Sequence, residues 1–462
     1  MKIHFKRTNF GAALLAAFLC MVIQLLILAG RDGGELHFES LFFFMNYLDG
    51  RNLFVQVMDP FRNDWGFYQA RELSYLFDAL DARFVAFLLK KHIVWFHSLC
   101  SLLLCGVMVF VQHYYTRKFF PKIPGMLVTL ISVFFVLSMS VTGLNYFRCA
   151  KYLTATGLWG ALFAAYSCCR YDGWKSRAAF IFSLLLMCLS DRQGFFFTAA
   201  FCGTMAVIMV WQSRCRSLLA VRRSRFVVLA SLGALFFGII NNLYLTPALV
   251  KALNNYDVDF AYQRDFQLTF TSIKSGFLFL TGNAGNWFSS FTGDIFISAL
   301  TGCLLLGGVA VELYCRYRRC ENSWFFLFLL WFCALGAMLF CGSAMAARHP
   351  LIMLPDVVYG TYSINFLVIT LFLLTLTAAG GRERFRKVLL GIVSAGILLR
   401  IGTEYLGERF APEPQSFKGY HSGQHVLKEA LRDPAFDEKR YLIPYRMELF
   451  LEFYRKNILT KE

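Results

Sequence analysis

The chain is poor in charge. Lys, Arg, Asp and Glu make up only 16% of its 462 residues, too few to clothe a soluble globule of this size. It also lacks the spacings that build a metal centre or a disulfide framework. Nearly all of its fourteen cysteines lie in apolar runs (Cys100, Cys105, Cys202, Cys303, Cys333) or in basic connectors (Cys215, Cys315, Cys320), where they read as small buried hydrophobes. Gly282 to Trp287 is Gly-rich but follows no predicted strand, which argues against a nucleotide-binding loop. Internal repeats and low-complexity segments are lacking too. The apolar stretch Gly11 to Gly30 follows Lys2, Lys6 and Arg7 but has no small-residue cleavage site, so it reads as an uncleaved first helix.

What is present is apolar surface. The sequence is 57% hydrophobic and carries 51 Phe, and runs of roughly 20 apolar residues, enough to cross a bilayer, recur along it. This pattern predicts an all-α polytopic membrane protein with about eleven transmembrane helices, near 11–30, 92–114, 125–143, 152–169, 178–190, 195–211, 226–246, 294–312, 324–344, 357–379 and 388–402. The transmembrane domain therefore covers 1–402. It leaves a first outer loop (31–91), a second (247–293) and a short extracytoplasmic tail (403–462).

The net charge of +17 sits in short connectors: Arg117, Lys118 and Lys122; Arg170, Lys175 and Arg177; Arg214, Arg216, Arg222, Arg223 and Arg225; Arg316, Arg318 and Arg319; Arg382, Arg384, Arg386 and Lys387. One such cluster in every second connector is the positive-inside pattern, not a nucleic-acid surface. It predicts a cytoplasmic N-terminus and an extracytoplasmic C-terminus. Asp64, Asp191, Arg264 and Arg348 then fall outside, and the bilayer itself becomes a partner. The apolar arms around Asp191 are short, which suggests a hairpin whose tip sits within the outer leaflet.

Charged groups at membrane level are costly and mark candidate sites. Asp64 leads through Tyr68, Arg71 and Glu72 into a segment whose Leu73, Leu76, Phe77, Leu80, Phe84 and Phe87 recur at helical spacing, an amphipathic interfacial helix. Asp64 can serve as a general base for an acceptor, with Glu72 nearby, or can cap that helix. Asp78 and Asp81 read as its solvated face. Asp191-Arg192-Gln193-Gly194 interrupts a hydrophobic hairpin: either Arg192 contacts a lipid phosphate with Asp191 orienting it or holding a metal, or the two form an ion pair that turns the chain. Arg348-His349-Pro350 offers a fork for a phosphate, or a structural His beside it. Arg148 and Lys151 place positive charge in an outer connector, against the topology rule, which suggests anion binding, although a snorkelling Lys151 is the alternative.

A basic N-terminus, a first helix, a long acidic outer loop with interfacial helices and about ten further crossings resemble the type C (GT-C fold) membrane glycosyltransferases. The resemblance implies transfer of a sugar from a polyprenyl-phosphate donor at the outer face of a bacterial inner membrane, to a glycan, lipid or protein acceptor, without a required cofactor or metal. It implies Asp64, with Glu72, as the catalytic carboxylates. Arg348, His349, Arg192, Lys151 and Arg148 would bind the donor phosphate, with Asp191, Tyr68 and Arg71 in support. The family often has a pair of acidic residues where this chain has Asp64-Trp65. A lipid-linked-sugar flippase and an O-antigen polymerase or ligase are the competing readings.

Overall fold

The computed structural model of the chain describes residues 7–30, 44–58, 70–93, 98–140, 150–171, 173–191, 218–254, 269–289, 295–318, 383–402, 429–433 and 445–459, with isolated helical positions between them. Of the described residues 91% are helical and none lies in a strand. The elements, in order, are α1 (Arg7–Gly30), the short α2 (Leu53–Met58), α3 (Glu72–Lys90), α4 (Leu99–Phe119), α5 (Gly125–Ser140), α6 (Ala150–Tyr171), α7 (Trp174–Ser190) and α8 (Leu218–Ile240). A π-helical turn, Asn241–Leu245, joins α8 without a break to α9 (Thr246–Asn254). Then come α10 (Phe270–Ser289), α11 (Ile295–Arg318), α12 (Glu383–Gly402) and α13 (Tyr445–Tyr454).

Three of these helical stretches, Asn9–Leu26, Leu99–Phe119 and Arg225–Asn254, are long and apolar enough to cross a membrane. Their outward faces are apolar as well: Leu15 and Phe18 on α1, Leu103 and Val107 on α4, and Leu229 and Phe236 on α8 are all exposed. A protein with water on every side would bury such residues, whereas lipid solvates them.

Two cores hold the helices. The larger one joins α1, α4, α5, α6, α7, α8, α10, α11 and α12 around Phe134, Phe135, Trp159 and Phe163. α6 approaches α7 closely, where a Cβ on Gly157 would stand 2.7 Å from Met187 Cγ and one on Gly160 would stand 2.5 Å from Ser183 Oγ. Small residues let helix backbones approach where lipid gives no hydrophobic drive to association. The smaller core joins Phe44 and Tyr47, α2, α3, Val250 of α9, Ala430, Leu431 and α13. The helical pieces of the tail therefore pack on the helices of the first loop, and Tyr454 Oη reaches the carbonyls of Leu89 and Leu431 at 3.4 Å each.

The boundaries shift from those read in the sequence, for local reasons. The span placed at 92–114 begins instead at Leu99. His92 adopts φ 57°, while its N–H bonds the Leu89 carbonyl and that of Ile93 bonds Leu88, a Schellman stop for α3. Ser98 then caps α4 by accepting from the Ser101 N–H at 2.8 Å. Asp64 does not cap α3, because the N-cap is Arg71. The stretch 247–293 contains α10 and continues α8 through α9. α7 has 17 residues, about 25 Å of helix, somewhat less than the hydrocarbon thickness of a bilayer.

Asp78 and Asp81 are not on a solvated face; they are 4% and 1% exposed. α3 turns Ser74, Asp78, Ala79, Asp81, Ala82 and Ala86 inward, and leaves Leu80 and Phe87 exposed on its opposite side. Small side chains let it settle against its neighbours, and Asp81 has a specific task there. Its carboxylate accepts from the Cys100 N–H at 2.9 Å and from the Ser98 hydroxyl, placing an anion at the N-terminus of α4.

Candidate functional site

The N-terminus of α3 carries two adjacent charged side chains: one reaches the end of α7 and the other the π-turn between α8 and α9. Arg71, the N-cap, extends a guanidinium Nη2 to 3.0 Å from Asp191 Oδ1. The Asp191 side chain is fully buried and that of Arg71 is 18% exposed, so the pair is almost removed from water. Asp191 is the C-cap of α7, where exposed carbonyls already make the local field negative. A carboxylate there is unfavourable by itself. Arg71 offsets the carboxylate charge at that helix end.

Glu72 opens α3 and points toward α8 and α9. Its Oε1 accepts from the Thr246 hydroxyl at 2.6 Å and from Asn241 Nδ2 at 3.3 Å. Asn241 and Thr246 are the first residue and the C-cap of the π-turn, and the Thr246 N–H bonds the Asn241 carbonyl. A five-residue turn stacks positions i and i+5, which brings both side chains over one carboxylate. Pro247 explains the turn: without an N–H it cannot donate to the Leu243 carbonyl, and in an α-helix its ring would crowd that carbonyl. Asn241 and Thr246 are 8% and 1% exposed, so Glu72 satisfies donors that would otherwise be buried at a cost.

A second polar network braces α3 from the side. Asp49 accepts from the Arg51 N–H at 3.0 Å and Gln56 Nε2 at 2.9 Å, and pairs with Arg51 Nε at 2.5 Å. Arg83 donates to Gln56 Oε1 at 2.7 Å and to the Ala79 carbonyl at 3.2 Å. Burial lowers the Arg83 guanidinium below its ordinary range while Asp49 opposes the shift, and the group stays charged at any working pH.

The opposite ends of α7 and α8 belong to the basic connectors. Arg177 lies 5.1 Å over the Phe226 ring, next to Arg225, and Arg386 donates to the Lys122 carbonyl at 2.8 Å. α7 and α8 therefore both run from basic residues toward the Arg71–Glu72 pair. The pair marks the end of the bundle away from those connectors.

Of the candidate residues, the structure brings Arg71, Glu72 and Asp191 together. Lys151 is the second residue of α6. Asp64, Tyr68, Arg148, Arg192, Arg348 and His349 lie outside the described residues. Asn241 and Thr246 were not among the candidates. The signal that could have found them is a polar Asn241-Asn242 pair followed by Thr246-Pro247 inside an apolar run. Among the described residues, no group of three or more His, Cys, Asp or Glu is placed to hold a metal ion. No family model matches the chain, and neither a curated protein nor a solved structure matches it.

Proposed function

We propose that the protein is a multi-pass membrane glycosyltransferase of about eleven crossings, with its N-terminus cytoplasmic. In this reading it transfers a sugar from a polyprenyl-phosphate donor to an acceptor at the extracytoplasmic face of a bacterial inner membrane. The observation that carries it is the docking of the acidic first loop, through Arg71 and Glu72, on the helix ends away from the basic connectors. Transfer from a lipid phosphate needs a carboxylate and cations held together where the membrane meets water.

Asp64 is the base that takes the proton of the acceptor hydroxyl, and it precedes Arg71 by a short stretch of chain. Negative charge grows on the departing phosphate. Arg192, which directly follows Asp191 in the chain, stabilises that charge with Arg348, His349, Arg148 and Lys151. Glu72 accepts two hydrogen bonds from the π-turn and is assigned the positioning of that turn rather than proton transfer. The phosphate is already a good leaving group, so the reaction needs no metal.

One observation favours a second reading. A long apolar helix interrupted by a polar π-turn resembles the irregular helices of transporters, which suits a flippase for lipid-linked sugars. The test is sugar release by the full-length protein in lipid, with polyprenyl-phosphate and polyprenyl-pyrophosphate sugars, for wild type and Asp64→Asn. Release lost in Asp64→Asn is the expected result, while Arg348→Ala weakens donor binding. Donor binding without any release would overturn the enzyme in favour of transport.

A further inference from the structure

A cluster of polar side chains lies inside the larger core, between α4 and α5. Gln112, His113 and Thr116 of α4 are 3%, 2% and 0% exposed, and Ser132 of α5 is 2% exposed. His113 Nε2 stands 3.3 Å from Thr129 Oγ1, and the Ser132 hydroxyl meets Gln112 Oε1. Three buried polar atoms here have no hydrogen-bond partner among the described residues: Gln112 Nε2, His113 Nδ1 and Thr116 Oγ1. Gln112 and Thr116 are four residues apart and His113 and Thr116 three apart, so they share one face of α4.

The hydrogen-bond directions can be assigned. Thr129 has one hydroxyl proton, and Oγ1 lies 3.1 Å from the Gly125 carbonyl, which takes it. Toward His113 the same oxygen can only accept, so the proton of the ring sits on Nε2. Nδ1 is then a bare acceptor. α5 carries no titratable side chain that could serve it, and Arg117, one turn along α4, is turned toward the carbonyls of Pro121 and Ile123. The seam thus offers a donor in Gln112 Nε2, an acceptor in His113 Nδ1 and a hydroxyl that is both. Water, with two to four polar partners, is the small molecule that fits such a set.

We propose that this α4–α5 seam is a water-binding site within the membrane-spanning core, where bound water joins Gln112 Nε2, His113 Nδ1 and Thr116 Oγ1. The water holds His113 as the neutral Nε2–H tautomer.

The test is solid-state NMR of the full-length protein in lipid bilayers with ¹⁵N-labelled histidine, the His113 signal being assigned by subtraction of a His113→Gln spectrum. A neutral Nε2–H ring whose Nδ1 receives magnetisation from water is the expected result. A ring protonated on Nδ1, or one that receives no transfer from water, would overturn the site. Thr116→Val, nearly equal in size, supplies an arm that does not depend on tolerance of the His113 substitution. It is expected to reduce the transfer to His113 at least two-fold while the Nε2–H tautomer persists, and undiminished transfer would refute the shared water.

Discussion

The two cores treat polar groups differently. In the larger one, buried hydroxyls fold back onto the carbonyl one turn earlier: Ser132 onto Val128 at 3.0 Å, Thr156 onto Tyr152 at 2.7 Å and Thr375 onto Leu371 at 2.7 Å. These hydroxyls each reach a carbonyl of their own helix, and in the α4–α5 seam Ser132 and Thr129 also meet Gln112 and His113 across helices, all of them neutral contacts. In the smaller core and along its border the buried groups are ionised and reach across elements, as in Arg71 to Asp191 and Asp81 to the start of α4. A buried carboxylate is tolerable only with a cation or several donors, and those come from neighbouring segments. The contrast separates an apolar helix bundle from the polar junction where the helices of the first loop pack. The paired residues Arg71 and Glu72 stand on that border.

The strongest way to break this contrast is Asp191→Ala. It removes the buried carboxylate 3.0 Å from the Arg71 guanidinium and should cost about 3–5 kcal/mol, read as a lowered unfolding midpoint in detergent. Replacing both Arg71 and Asp191 by Leu should restore most of that loss, because two apolar side chains leave no charge to desolvate. Glu72→Ala comes next. It strands the Asn241 amide, leaves the Thr246 hydroxyl only the 3.4 Å contact to Asn241 Oδ1, and should cost about 1–3 kcal/mol, with faster amide exchange over 241–246. Stability lost without faster exchange in that turn would show that Glu72 does not hold it.

Glycines offer a finer comparison inside the larger core. Gly157→Leu would drive a side chain into Met187 and Ser183 and should destabilise by about 1–3 kcal/mol. Gly308→Ala in α11 meets nothing within 4 Å and should be neutral or add up to about 1 kcal/mol. Equal responses at the two sites would contradict the close α6–α7 contact. The smallest effect belongs to Lys387→Ala. Its partner Glu383 lies at 3.1 Å with both side chains 74% exposed, and melting should not shift measurably.

The sequence made some of this legible. Hydropathy located α1, α5, α6 and α7 to within a few residues, and helical spacing located α3, whereas the starts of α4 and α8 lie further from the spans read at 92 and 226. Arg71 and Asp191 were both named as candidates, but not as partners. Their contact links segments far apart in the chain, and no local period encodes it. Asp78 and Asp81 were misread for a related reason: charge suggests solvent until a neighbouring helix N-terminus supplies the donors, as Cys100 does for Asp81. The π-turn depends on Pro247, whose effect on the preceding turn is steric and invisible to hydropathy. The start of α4 moved because a left-handed residue, His92, ended α3 where Gly would ordinarily be expected.

The central structural claim is that the first loop is fixed to the helix ends through a charge pair buried at the border of the two cores. A double-mutant cycle on Arg71 and Asp191, scored by unfolding free energy with Leu at each position, tests it most directly. Coupling of about 1–3 kcal/mol is the predicted result. Additivity within about 0.5 kcal/mol would mean that the two residues do not meet, and the docking of the loop would fall with it.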